Sequence, residues 1–260
     1  VQTNSYSVSK PFLKINQLLW RNPKLQRLRM LYFTLDSIIL AGISKPSPKK
    51  FKRRQVLIIY NLALGDDIMF LGVAASLYEA FPPTCYELTL ICQKGFEALF
   101  TNIFDHVIGL DFSGAVTNLT KRRRLFSLVR QKYFDIAIDP IGCESATTNV
   151  LVMRAVCSTV KIGVLDTTLP NIQLTDRERL SVYNEIYKIN RPHLHLIECY
   201  SDFFHYLGAY SCIAHPANLP SVHLDFELPS HFFIIFPAAS MGVKRWPPER
   251  FADIAKIIYE

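Results

Sequence analysis

Two adjacent carboxylates, Asp66 and Asp67, stand directly behind Gly65 where the apolar run VLIIYN has ended. A carboxylate placed beside a bound hydroxyl can take its proton during reaction, a contribution of roughly a hundredfold to ten-thousandfold. A glycine in front of it lets a substrate approach the backbone closely. The pair also has a plainer reading, because acidic side chains in the first turn of a helix complement its dipole and cap free amides. The stretch is no phosphate loop: neither GxGxxG nor GxxxxGK followed by Ser or Thr occurs in it.

A second constellation lies in FPAASMGVKRWPPERF, residues 236 to 251. Here an apolar run leads into small residues, the Ser240 hydroxyl, the cations Lys244 and Arg245, and the start of a helix. Hydroxyl, amides, cation and positive dipole end would together suit a diphosphate, and the alternative is a solvated basic loop. His193, His195, Glu198 and His205 are close in sequence, but their spacing matches no common metal motif.

The elements that must position these groups alternate. QVLIIYN, YELTLIC, HVIGL, FDIAIDP and the run around Val160 to Val164 read as strands. DIMFLGVAASLYEAF, GFEALF, LTKRRRLFSLVRQKY and His195 to Leu207, closed by Gly208, read as helices between or after them. Strands separated by helices of this length predict an α/β fold with a parallel sheet covered on both faces, a Rossmann-like domain over residues 55–210. After a linker at 211–230, HFFIIFPAAS predicts a new strand and PPERFADIAKIIYE a helix opened by Pro247 and Pro248, so residues 231–260 read as the start of a second domain. The chain begins with Val and stops within that last helix, the expectation being a partial chain.

Charge is distributed unevenly. Residues 1–54 hold twelve Lys or Arg against the single acid Asp36, whereas the remainder holds 17 basic and 21 acidic groups. The net charge of +7 therefore belongs to an N-terminal leg, which argues against a core that binds nucleic acid. Within that leg, apolar and basic residues from Ile15 to Ile43 lead into KPSPKKFKRR. This fits an interfacial helix and basic hinge drawn to an anionic membrane surface, and equally a helix packed on the body with a solvated linker. MLYFTLDSIILAGI, from Met30 to Ile43, is too short to span a bilayer and contains Asp36. No small-residue cleavage site marks a signal peptide, and six cysteines without a CxxC pair read as free thiols in a reducing cytosol.

The chain resembles glycosyltransferase family 9, the lipopolysaccharide heptosyltransferases and their relatives. The resemblance is carried by VLIIYNLALGDDI, YFDIAIDP, HLIE (195–198) and above all PAASMGVKRWPPERFADIA, and covers about Gln55 to the end. It implies a GT-B architecture, with two Rossmann-like domains facing across a cleft, the acceptor held by the first and the nucleotide sugar by the second. It also implies inverting, metal-independent transfer with no cofactor beyond the nucleotide-sugar donor, on a lipid-linked saccharide at the inner face of the cytoplasmic membrane. The family's Gly-Asp falls on Gly65 and Asp66, making Asp66 the general base and leaving Asp67 as the helix cap. Its hydroxyl-and-lysine pair falls on Ser240 and Lys244, the donor-diphosphate contacts. Phe236 stands where many relatives have histidine, so any polar help from that side chain is missing, and the later donor-binding residues have no counterpart in these 260 residues. The expectation is accordingly that the chain alone is inactive. The competing reading is a non-catalytic, membrane-associated scaffold that keeps only the acceptor domain.

Overall fold

The computed structural model describes residues 26–48, 51–115, 118–144, 147–169, 174–190 and 195–213. It also describes residues 215, 217, 219, 226–227, 229–235 and 246–259. The chain divides into two compact units, Val1–Leu219 and Pro220–Glu260.

The first unit is built on a parallel six-stranded sheet of β1 (Arg54–Ile59), β2 (Tyr86–Gln93), β3 (His106–Leu110), β4 (Tyr133–Asp139), β5 (Cys157–Asp166) and β6 (Glu185–Ile189). Their spatial order is β3-β2-β1-β4-β5-β6. Sequence order runs outward in both directions from the β1–β4 pair, which makes that pair the topological switch point. In open α/β sheets, ligands bind beyond the carboxyl ends of the strands at such a point.

Strand β1 shows why the sheet is central. Val56, Ile58 and Tyr60 enter the core on one face, while Leu57 and Ile59 enter the core on the other. Period-two alternation sends every second side chain to the opposite face, so a strand buried on both sides reads as a continuous apolar run. On the first face pack α2 (Leu64–Ala74), α3 (Leu77–Ala80) and α7 (Leu196–Leu207), with Phe70, Tyr200, Phe203 and Phe204 fully buried. On the second pack α4 (Leu119–Val129) and α5 (Thr148–Ala155), through Phe126, Val152 and Met153. The loop after α6 (Asp176–Leu180) adds Tyr183 to that face.

The N-terminal segment meets the same face. Helix α1 (Gln26–Ala41) packs Phe33, Ile39 and Leu40 against the second core. Its Asp36 is buried between two cations, 2.9 Å from Arg122 and 3.6 Å from Arg154. The Arg154 guanidinium lies over the Phe33 ring at 4.0 Å. For residues 33–43, the packed-helix reading of the apolar stretch therefore describes the molecule. No described helix is long and apolar enough to cross a membrane.

The five strands expected between residues 55 and 164 hold closely and helix boundaries less so, while β6 was not expected. Helix α2 starts at Leu64, three residues before the expected Asp67, and GFEALF shrinks to one 3-10 turn at Glu97–Leu99. Helix α7 ends as expected, on Gly208 in the left-handed conformation that a residue without a Cβ adopts freely (φ +110°). In the second unit α8 (Pro248–Tyr259) forms behind Pro247. Of the strand expected over 231–240, residues 231–235 join no ladder and 236–240 lie outside the described residues. A strand needs a neighbour to take its backbone hydrogen bonds, and none is found beside 231–235 among the described residues.

Candidate functional site

Helix α2 is fed directly by β1, which places Gly65, Asp66 and Asp67 in its first turn at the switch point. The amides of Asp66 and Asp67 both donate to the Ala63 carbonyl, at 2.9 and 3.0 Å. Ala63 is the N-cap residue, and no side chain caps the helix. The expected capping role of Asp67 is thus corrected. Because the helix begins a turn earlier, the amide Asp67 would have capped is already bonded inside it.

The two carboxylates have different surroundings. Asp66 is half-buried, and its side chain has no hydrogen-bond partner among the described residues, leaving both oxygens available. Gly65 before it is exposed, with open space where a Cβ would stand. Asp67 is 1 % exposed, and both its oxygens are buried without a donor among the described residues. Burial, and then the charge of Asp66, pushes its carboxyl up to about 7.

An aromatic pair supports this turn from below. The Tyr60 hydroxyl donates to the Asp66 carbonyl at 2.9 Å and lies 2.7 Å from the Tyr200 hydroxyl of α7. The Tyr60 ring stacks on Phe70 with centroids 4.0 Å apart. Burial raises both phenols well above their ordinary value, so they remain neutral hydrogen-bonding groups. The backbone that carries Asp66 is therefore tied to the core of the domain.

Across the switch point a second polar cluster closes the ends of β4 and β5. Fully buried Asp139 accepts from Tyr183 Oη at 2.6 Å, from Asn149 Nδ2 at 3.1 Å and from the Ile141 amide at 3.1 Å. Asn149 Nδ2 also donates to the Ile59 carbonyl at 2.8 Å, joining the ends of β1 and β4. Glu144 accepts from the Asp166 amide at 2.5 Å. Burial raises Asp139 to about 6 against its hydrogen bonds, and raises Glu144 to about 7. Sequence reasoning read FDIAIDP as a strand and missed this cluster. The signal was an Asp closing an apolar strand, but Asn149 and Tyr183 come from distant elements that no spacing connects to it.

The remaining motifs resolve differently. HLIE is an N-terminal box on α7: the Glu198 carboxylate accepts from the His195 amide at 2.8 Å, and His195 Nδ1 accepts from the Ile197 amide at 3.4 Å. Among the described residues no three His, Cys, Asp or Glu side chains gather as metal ligands. The six cysteines are free, and Cys92, Cys143, Cys157 and Cys212 are buried. Ser240 and Lys244 lie outside the described residues.

No protein-family model and no curated protein matches the chain. Solved structures do. The chain is similar to the E. coli heptosyltransferase WaaC with ADP, at 19% identity and TM-score 0.53 over 78% of this chain and 64% of that one. A second structure of that enzyme, with ADP-2-deoxy-2-fluoro heptose, matches alike at TM-score 0.53. It is also similar to a family 9 glycosyl transferase from Veillonella parvula, at 15% identity and TM-score 0.54 over 82% of this chain and 62% of that one. E. coli ADP-heptose lps heptosyltransferase II matches at 16% identity and TM-score 0.50, over 79% and 61%. The chain thus shares its fold with the family 9 heptosyltransferases, as the sequence resemblance implies, and spans less than two thirds of their length.

Proposed function

We propose that this chain carries the acceptor side of an inverting, metal-independent glycosyltransferase that moves a sugar from a nucleotide-diphosphate donor to a lipid-linked saccharide. The observation that carries the reading is Asp66, a half-buried carboxylate with no competing partner among the described residues, at the switch point of a fold shared with heptosyltransferases. Gly65 leaves room for an acceptor sugar against the backbone. Asp66 would take the acceptor hydroxyl's proton as the oxygen attacks the anomeric carbon, and the nucleoside diphosphate would leave with the bonding electron pair. Ser240 and Lys244 would hold that diphosphate, where a cation stabilises the charge gathered on the leaving group. The neighbours with ADP and ADP-2-deoxy-2-fluoro heptose support a nucleotide sugar as donor, with heptose the first sugar to try.

The test is mass-spectrometric detection of transfer by the full-length protein across a panel of nucleotide sugars. Asp66→Asn should lower kcat by two or more orders of magnitude with donor affinity within a few fold, since the amide keeps the shape but cannot accept the proton. Lys244→Ala should instead act mainly on donor binding and leaving-group departure. Equal loss in Asp67→Asn with Asp66→Asn near normal would assign the base to the wrong carboxylate. Saccharide-acceptor binding with neither donor binding nor transfer would favour the scaffold reading.

A further inference from the structure

We propose that a cleft at the amino end of β5, opposite the Asp66 edge of the sheet, binds a phosphate group through Lys45, Arg130, Arg154 and Lys161. The cleft encloses about 420 Å³ between the end of α1, the residue following α4, the end of α5 and the first residues of β5. Such a volume suits a small phosphorylated group. Four of its lining side chains are cations, and none is a carboxylate.

The acid that pairs with one of these cations is itself shared with a second arginine. Asp36 sits behind the cleft, 2.9 Å from Arg122 and 3.6 Å from Arg154. Residues 1–54 contain no other carboxylate that could turn inward to neutralise the site. Several donors there are held in place by single backbone contacts. Arg130 gives one Nη to the Leu40 carbonyl at 2.7 Å, while its Nε is buried with no partner among the described residues. Arg154 gives the same Nη to the Phe33 carbonyl at 2.8 Å and to Ser37 Oγ at 3.4 Å. Lys161 gives Nζ to the Met153 carbonyl at 2.5 Å, which uses one of its three protons.

The electrostatics agree with the geometry. Burial, followed by the charges of Arg130, Arg154 and Lys45, pushes the Lys161 ammonium down to about 8, with Cys157 opposing. Like charges disfavour one another unless an anion lies among them, and two guanidinium forks with two ammonium groups match phosphate oxygens. The site is independent of the proposed transfer reaction, because it stands at the opposite end of the strands from Asp66.

The chemistry fits either a phospholipid headgroup or a soluble phosphoester. The test uses calorimetric titration with inorganic pyrophosphate in a Lys244→Ala background, so that the proposed donor contact does not contribute. Saturable one-site binding is expected, weakened roughly tenfold by Lys45→Ala or Lys161→Gln, the effect of losing one charge-assisted contact. Competition between pyrophosphate and phosphatidylcholine vesicles doped with phosphatidic acid would identify a headgroup as the source. Pyrophosphate binding without vesicle binding would identify a soluble ligand. Lys45 is exposed, so its variant carries the test even if Lys161→Gln fails to fold. Absence of saturable binding at millimolar pyrophosphate, or binding indifferent to Lys45→Ala, would overturn the site.

Discussion

With both oxygens buried and without described donors, the Asp67 carboxyl is pushed up to about 7, whereas its neighbour Asp66 is half-buried with no side-chain hydrogen-bond partner among the described residues. The linkage has a definite sign. A carboxyl whose pKa is higher folded than unfolded binds more protons in the folded state between the two values, so its contribution to stability is lost as pH rises through the folded value. Asp67 and Glu144 at about 7, and Asp139 at about 6, all act in this direction. Denaturant midpoints should therefore fall as pH is raised from 5 to 8. Asp67→Asn should flatten part of that slope and gain on the order of 2 kcal/mol at pH 8, because the amide carries no charge into the core. An unaltered slope in that variant would show that Asp67 is hydrated and ionised at neutral pH.

At the scale of elements, much of the sheet was legible because β1, β2 and β4 are apolar runs with turn or helix signals at their ends. Helix α5 and strand β5 were harder: Thr148–Ala155 and Cys157–Asp166 are separated by Val156 alone, with no Gly or Pro to mark the change of period. Strand β6 escaped because Glu185–Ile189 is a short edge strand, half-exposed along most of its length. The polar cluster was illegible for a different reason, since it is assembled by Gly163 as well as by polar residues. A Cβ at Gly163 would stand 2.8 Å from the Tyr183 ring, whose hydroxyl is fixed on Asp139. Gly163→Ala should therefore displace Tyr183 and strip a donor from a buried carboxylate, costing about 1–3 kcal/mol. Asp139→Asn in the same chain should recover little of that loss, because the repacked ring remains. Urea titration of both variants and the pair measures the coupling.

Helix α1 belongs to the same scale and tests how the N-terminal segment is held. Arg122 is buried and Arg154 half-buried against Asp36, and burial raises the Asp36 carboxyl even with both arginines beside it. Removing the acid takes the carboxylate away from the buried Arg122 guanidinium and leaves its positive charge beside that of Arg154. Asp36→Ala should cost about 3–5 kcal/mol, the usual penalty for an unpaired buried charge, and should raise protease sensitivity within Gln26–Ala41. A loss below about 1 kcal/mol would mean that water reaches the arginines as the helix lifts, and α1 would then be free to leave the body for a lipid surface.

The molecule divides into two units, and the buried core among the described residues lies in the first. The six strands found among the described residues lie between Arg54 and Ile189, and helices cover both faces of their sheet within the first unit. The described residues of the second unit contain α8 and no strand, and Ile254, Ile257 and Ile258 are exposed on that helix. An amphipathic helix of this kind gains its stability from a partner surface and contributes little to folding without one. Ending the chain after Leu219 should consequently leave the main melting transition within about 2 °C of the 260-residue chain, a shift equivalent to less than ~1 kcal/mol for a domain of this size. If Ser240 and Lys244 hold the donor, neither form should transfer sugar, since one lacks these residues and the other spans less than two thirds of the heptosyltransferases it resembles. A large drop in melting temperature on truncation would show that residues 220–260 complete the first core. Transfer by the truncated form would remove Ser240 and Lys244 from the reaction and place the donor entirely on the Asp66 domain.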